Sequence, residues 1–153
     1  TIFGDIYDEI IKKIIKSKRK INHSWIYEIS KKINLTPSLY LKAGAVHGCA
    51  IIERNVPLIY MEDVGRHNAV DKIAGYMFLK NIKTSNKIFY TTGRLTSEMV
   101  IKTVKMGVPI LISRSGFTSW GVDLAKKTNL TLIGRAKGKR YLVLTGEKRI
   151  DNK

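Results

Sequence analysis

A chain of 153 residues with 44% hydrophobic and 26% charged side chains is sized for one globular core. No apolar run approaches the ~18 residues needed to cross a bilayer, and a single cysteine, Cys49, excludes an internal disulfide and any metal site built on paired cysteines. Lys and Arg number 28 against 12 Asp and Glu, and the resulting net charge of +16 draws polyanions (nucleic acid, acidic lipid or a phosphate-rich small molecule) without choosing among them.

Residues 5–19 place Ile6, Ile10, Ile11, Ile14 and Ile15 on one stripe, which predicts an amphipathic helix ending in the basic run Lys18-Arg19-Lys20. Residues 1–21 are accordingly read as an N-terminal helix with a basic linker, and residues 22–153 as an α/β core. A second helix is expected from Ser24 to Asn34, broken by Thr36-Pro37. Val46 to Ile52 and Leu58 to Met61 read as strands. Ala69 to Lys80 is helical, with Val70, Ile73, Ala74, Met77 and Phe78 as its buried stripe. Then comes an alternation: strand Lys87–Thr91, helix Thr96–Met106 closed by Gly107, strand Pro109–Ser113, helix Ser119–Thr128 closed by Asn129. Strands Leu130–Arg135 and Tyr141–Leu144 follow, separated by the turn Lys137-Gly138-Lys139. The chain opens at Thr1 with neither an initiator Met nor an export signal, so it is read as a segment of a longer cytoplasmic protein.

Strands alternating with helices of this length predict a three-layer α/β sandwich around a mostly parallel sheet. In such sheets ligands bind beyond the carboxyl ends of strands, where helix N-termini point. Three segments fall there: 62–68 with Arg66 and His67, 92–97 with Arg94, and 113–119 with Ser115. Each combines glycine, arginine and a hydroxyl or amide, a set suited to phosphates or carboxylates. Taken singly, Thr96 and Thr118 are also explained as helix caps and the glycines as turn residues.

Familiar phosphate signatures are missing: no Gly-x-x-x-x-Gly-Lys-Ser/Thr loop occurs, and no Gly-x-Gly-x-x-Gly follows a strand. Ser115 has Ser113 rather than Gly two residues before it, so it is no nucleophile elbow. His47, Cys49 and His67 make a poor zinc set, and Cys49 reads as a small apolar strand residue. No catalytic and no metal-ligating residue is assigned.

The stretch Met61-Glu62-Asp63-Val64-Gly65-Arg66-His67-Asn68-Ala69-Val70-Asp71-Lys72 resembles the signature of the formate dehydrogenase accessory sulfurtransferases, the FdhD/NarQ family. Gly93-Arg94-Leu95-Thr96-Ser97-Glu98-Met99-Val100 is similar to a second block of that family. Gly107 to Leu111, Ser113-Arg114-Ser115, Thr118-Ser119 and Leu130 to Gly134 match further ones. The resemblance covers about residues 24–145. It implies a cytidine-deaminase-like fold without that fold's zinc.

It further implies a role in passing persulfide sulfur from a cysteine desulfurase to the molybdenum or tungsten bis(molybdopterin guanine dinucleotide) cofactor of formate dehydrogenase, by a homodimer. GDP and GTP would be partial mimics of that cofactor. The family's cofactor segment corresponds here to Arg135-Ala136-Lys137-Gly138-Lys139-Arg140, to which Arg66, His67, Arg94 and Ser115 are added as cofactor-binding residues. Lys137 and Arg140 are the expected grip on the phosphates. Three departures stand out: Lys42-Ala43-Gly44-Ala45-Val46-His47-Gly48-Cys49-Ala50 stands where the family usually shows Thr-Gly-Gly-x-His-Ala/Ser-Ala, Gly134-Arg135 replaces a Gly-Phe turn, and the persulfide Cys-x-x-Cys loop would fall just before Thr1. A basic RNA- or DNA-binding module, driven by the charge alone, is the alternative reading.

Overall fold

The computed structural model describes residues 8–10, 12–35 and 47–151. In chain order the elements are β1 (Ile21–Asn22), α1 (His23–Leu35), β2 (His47–Glu53), β3 (Val56–Asp63), α2 (Arg66–Leu79), β4 (Ile88–Thr91), α3 (Ser97–Met106), β5 (Ile110–Ser113), α4 (Ser119–Thr128), β6 (Thr131–Lys137) and β7 (Arg140–Thr145). A 3-10 turn at Glu147–Arg149 and β8 (Ile150–Asp151) follow. The expected order of helix, two strands and then helix-strand units is therefore present.

Six strands form one sheet in the order β3-β2-β4-β5-β6-β7, and β1 pairs with β8 in a separate two-stranded ribbon. Within the six-stranded sheet only the β4–β5 and β5–β6 pairings are parallel, so that sheet is mixed rather than mostly parallel. The cause is local. Arg54-Asn55, with Arg54 at φ 58, turns β2 back on β3, and Gly138-Lys139 turns β6 back on β7, so both ends of the sheet are hairpins. Pro57 is tolerated because β3 is an edge strand.

Three layers are present. Phe89, Leu111 and Leu132 pack on one face against Val70, Ile73 and Met77 of α2, Met99, Val100 and Val104 of α3, and Leu124 and Ala125 of α4. On the other face Ala50, Tyr90, Ile112 and Ile133 pack against Ile26, Ile29 and Ile33 of α1. All four residues of β4 and of β5 are buried, as expected of strands covered on both sides. Thr96 and Thr118 accept hydrogen bonds from the Met99 and Gly121 amides and cap α3 and α4, while Gly107 and Asn129 close those helices in the left-handed region.

Two expectations fail. Phe78 is not part of the buried stripe of α2: it is 86% exposed, one helical step round from buried Met77. The helix expected over residues 5–19 does not extend through its second half. Residues 8–10 are helical but 14–20 carry no helix, and 5–7 and 11 lie outside the described residues. Tertiary partners take the backbone groups a helix would have used. The Ile15 amide donates to the Thr128 carbonyl (2.8 Å), the Ile15 carbonyl accepts from Asn129 Nδ2 (2.8 Å), and the Ser17 carbonyl accepts from the Arg149 guanidinium. Ile10 and Ile15 still enter the main core, so this segment is a strap packed on the sandwich.

Candidate functional site

The loops leaving β4, β5 and β6 are laced together by hydroxyl and backbone bonds. Thr91 Oγ1 accepts from the Gly93 amide (3.1 Å). Ser113 Oγ donates to the Gly93 carbonyl (2.6 Å) and accepts from the Ser115 amide (2.9 Å). Ser115 Oγ donates to the Thr92 carbonyl (2.6 Å). The Leu95 amide donates to Gly116 (3.0 Å), the Thr118 amide to Leu95 (3.2 Å) and the Arg135 amide to Ser115 (3.0 Å). Short hydroxyl residues at strand ends thus let two loops and the end of β6 move as one rigid rim.

Against this rim lies a cleft of about 250 Å³ lined by Arg114, Ser115, Gly116, Arg135 and Lys137. Arg135 sits at an irregularity of the β6–β7 pairing with φ 51, a left-handed conformation rarely adopted by a side chain other than glycine. Its guanidinium carbon lies 5.8 Å from the centre of the Phe117 ring, so ring and rim aim it over the cleft. Every charged side chain lining the cleft is cationic, and none is an acid–base pair or a nucleophile. Such a lining holds anions.

The segment expected as a single grip, Arg135 to Arg140, is divided by the pleat. Arg135 and Lys137 line the cleft. Ala136, 2% exposed, turns into the opposite core layer under α1. Lys139 reaches over the Tyr27 ring of α1 with Nζ 5.8 Å from its centre, and Gly138 adopts φ 56 at the hairpin tip. Arg140 is exposed and outside the cleft lining. Arg114 belongs to the cleft although it was not singled out. Its position beside Ser115, in a turn already marked, was the signal.

The other expected residues surround the same edge. Arg94 is exposed on the β4–α3 loop, and Ser115 contributes to the lining with its proton committed to Thr92. His67 Nε2 lies 2.7 Å from Glu98 Oε2, clamping the start of α2 to the start of α3. Arg66 opens α2 but its side chain lies outside the described residues. Asp63 holds this corner in place: it accepts from the Gly65 amide (3.0 Å) and pairs with Lys72 Nζ (2.7 Å). The Lys72 bond chiefly, helped by the Gly65 amide, pulls its carboxyl down to about 2. A carboxyl lowered by folding contributes stability above its ordinary pKa of 3.8 and loses it as pH falls through about 2. Thermal melts of the parent and Asp63→Asn should therefore differ at pH 6 and converge between pH 4 and pH 2. A gap that stays constant to pH 2 would mean the carboxylate is not the stabilising species.

Cys49 is fully buried in β2, and burial pushes its thiol up to about 12, so it stays protonated and inert at neutral pH. Among the described residues no three His, Cys, Asp or Glu side chains gather as a metal site, and no helix is long and apolar enough to cross a membrane.

The model of the FdhD/NarQ family matches residues 2–151. The chain belongs to that family. It is 31% identical over 150 residues to the sulfur carrier protein FdhD of Wolinella succinogenes, covering 98% of this chain and 52% of that protein. The sulfur carrier protein FdhD of Saccharolobus solfataricus is 37% identical over 139 residues, 90% of this chain and 54% of that one. A crystal structure from Desulfotalea psychrophila, described as a formate dehydrogenase accessory protein, superposes with a TM-score of 0.83 at 35% identity, covering 94% of this chain and 62% of that one. The chain thus spans about half the length of the curated FdhD relatives it matches. None of these names is that of a nucleic-acid-binding protein, and the FdhD resemblance drawn from the 61–72 stretch stands.

Proposed function

We propose that this chain is the ligand-holding part of a sulfur carrier that delivers persulfide sulfur to the bis(molybdopterin guanine dinucleotide) cofactor used by formate dehydrogenase. The observation that carries the reading is the cleft in which Arg114, Arg135 and Lys137 converge with no carboxylate among the lining residues. The cofactor is cargo here. Its nucleotide phosphates suit two guanidinium forks and an ammonium fixed on one rigid rim. The residues of this chain bind and position; the sulfur-carrying cysteine is supplied from outside it. A cysteine desulfurase as donor, formate dehydrogenase as recipient, a homodimeric state and a cytoplasmic setting complete the reading.

Cys49 gives the sharpest check on this division of labour. Its buried, protonated thiol cannot act as carrier, so Cys49→Ala should leave GDP binding within twofold of the parent. Neither form of this chain, loaded with desulfurase and cysteine, should release sulfide to an acceptor. Sulfide transfer by the parent chain that is lost in Cys49→Ala would make Cys49, the only cysteine of the chain, the carrier and overturn its assignment to another segment. An absence of GDP binding, measured separately by calorimetry, would overturn the ligand-holding role.

A further inference from the structure

At the opposite, amino edge of the parallel strands lies a second cleft, of about 550 Å³, between the strap, the end of α4 and the 3-10 turn. We propose that it binds an acidic polypeptide segment. Lys16, Lys18, Lys20, Lys126, Lys148 and Arg149 line it, against one acid, Glu147. None of these six cations forms a salt bridge among the described residues. The seven residues of β6 separate this cleft from the basic rim described above, about 20 Å along the strand.

The chemistry of the lining favours an extended chain of carboxylates over a compact phosphate. Phosphate sites converge amide groups, helix N-termini and guanidinium forks on one point. Here the helix end at the cleft is the carboxyl end of α4, marked by Lys126 and Asn129, whose carbonyls repel an anion at close range. The single guanidinium is already engaged. Arg149, 6% exposed, donates from Nε and Nη2 to the Ser17 carbonyl (3.1 and 2.9 Å) and from Nη1 to the Asn129 carbonyl (2.5 Å) and Thr131 Oγ1 (3.1 Å). It supplies buried positive charge, not contacts.

What remains for direct contact is a row of exposed ammonium groups. Exposure alternates along the strap, so that Lys16, Lys18 and Lys20 project at every second residue, roughly 6–7 Å apart in extended chain. An extended peptide with carboxylates at every second residue repeats at the same spacing. No aromatic side chain lines the cleft to stack a base.

The test uses a fluorescein-labelled peptide of alternating Glu and Ala, titrated with the 153-residue chain and followed by anisotropy. Lys16→Ala, Lys18→Ala and Lys20→Ala together should weaken binding about tenfold, each exposed ion pair contributing about two- to threefold. All three side chains are exposed, so the melting temperature should hold. Lys126→Ala with Lys148→Ala, on different elements, should act in the same direction. Arg135→Ala with Lys137→Ala, at the far edge, should change peptide affinity less than twofold. The proposal is overturned by triple and parent proteins binding within twofold, or by the far-edge pair costing as much as the strap lysines. It is equally overturned if inorganic triphosphate or single-stranded RNA displaces the peptide at concentrations below those of unlabelled peptide.

Discussion

Replacing Arg135 and Lys137 together by alanine should weaken GDP binding by about 100-fold while the melting temperature moves by no more than a few degrees. Each charge-assisted contact to a phosphate contributes about 1.5–3 kcal/mol, and two lost at the low end already amount to that factor. Neither side chain is part of the packed interior: both are exposed, and Arg135 keeps its backbone bond to Ser115 whatever its side chain. Alanine at 135 inherits the same φ of 51 and adds no new strain. Arg140→Ala serves as the control, since Arg140 lies outside the cleft lining and should change affinity only a few-fold. Calorimetry showing the double variant within twofold of the parent would detach this cleft from nucleotide binding.

Gly121→Ala should be the most damaging single methyl group added to the rim. A Cβ on Gly121 would stand 2.5 Å from the Leu95 carbonyl oxygen and 3.1 Å from the Thr96 carbonyl carbon, both backbone atoms. The first turn of α4 and the loop after β4 must then separate, breaking the Thr118–Leu95 and Leu95–Gly116 bonds that hold the rim. Overpacking of this kind costs about 1–3 kcal/mol, or roughly 3–10 °C in melting temperature for a domain of this size. GDP affinity should fall as well, because Gly116 and Ser115 shift with the loop. A folded Gly121→Ala protein with parental melting temperature and affinity would show that the loops tolerate separation.

Much of this was legible along the chain. Helix ends at Thr96, Gly107, Thr118 and Asn129 are set by caps whose chemistry is local, and the structure keeps each one. The rim was legible too, because strand-to-helix turns bearing glycine and arginine must gather at one edge once the strands are parallel neighbours. What failed depended on partners far away in sequence. The isoleucines of residues 5–19 fit a helical stripe, yet the backbone of residues 15–17 is claimed by Thr128, Asn129 and Arg149, which no local window contains. The division of 135–140 between two faces was hidden for a related reason. A run of four basic residues around a glycine looks like one surface, but the period-two pleat sends Ala136 to the core and Lys139 toward Tyr27. The turn Lys137-Gly138-Lys139 was legible, but the strand-helix alternation outweighed it, so the antiparallel hairpins at the two ends of the sheet were not expected.

The Ser17–Arg149 contact has a consequence for synthesis on the ribosome. Its partners are 132 residues apart, so at about 5–20 residues per second the strap waits roughly 7–26 s after emerging before its anchor exists. During that interval Ile10 and Ile15 have no finished interior to enter, and they are exposed to chaperones or to neighbouring nascent chains. Closure of the strap is then a late step whose timing is set by translation speed, and slowing the ribosome lengthens the vulnerable period in proportion.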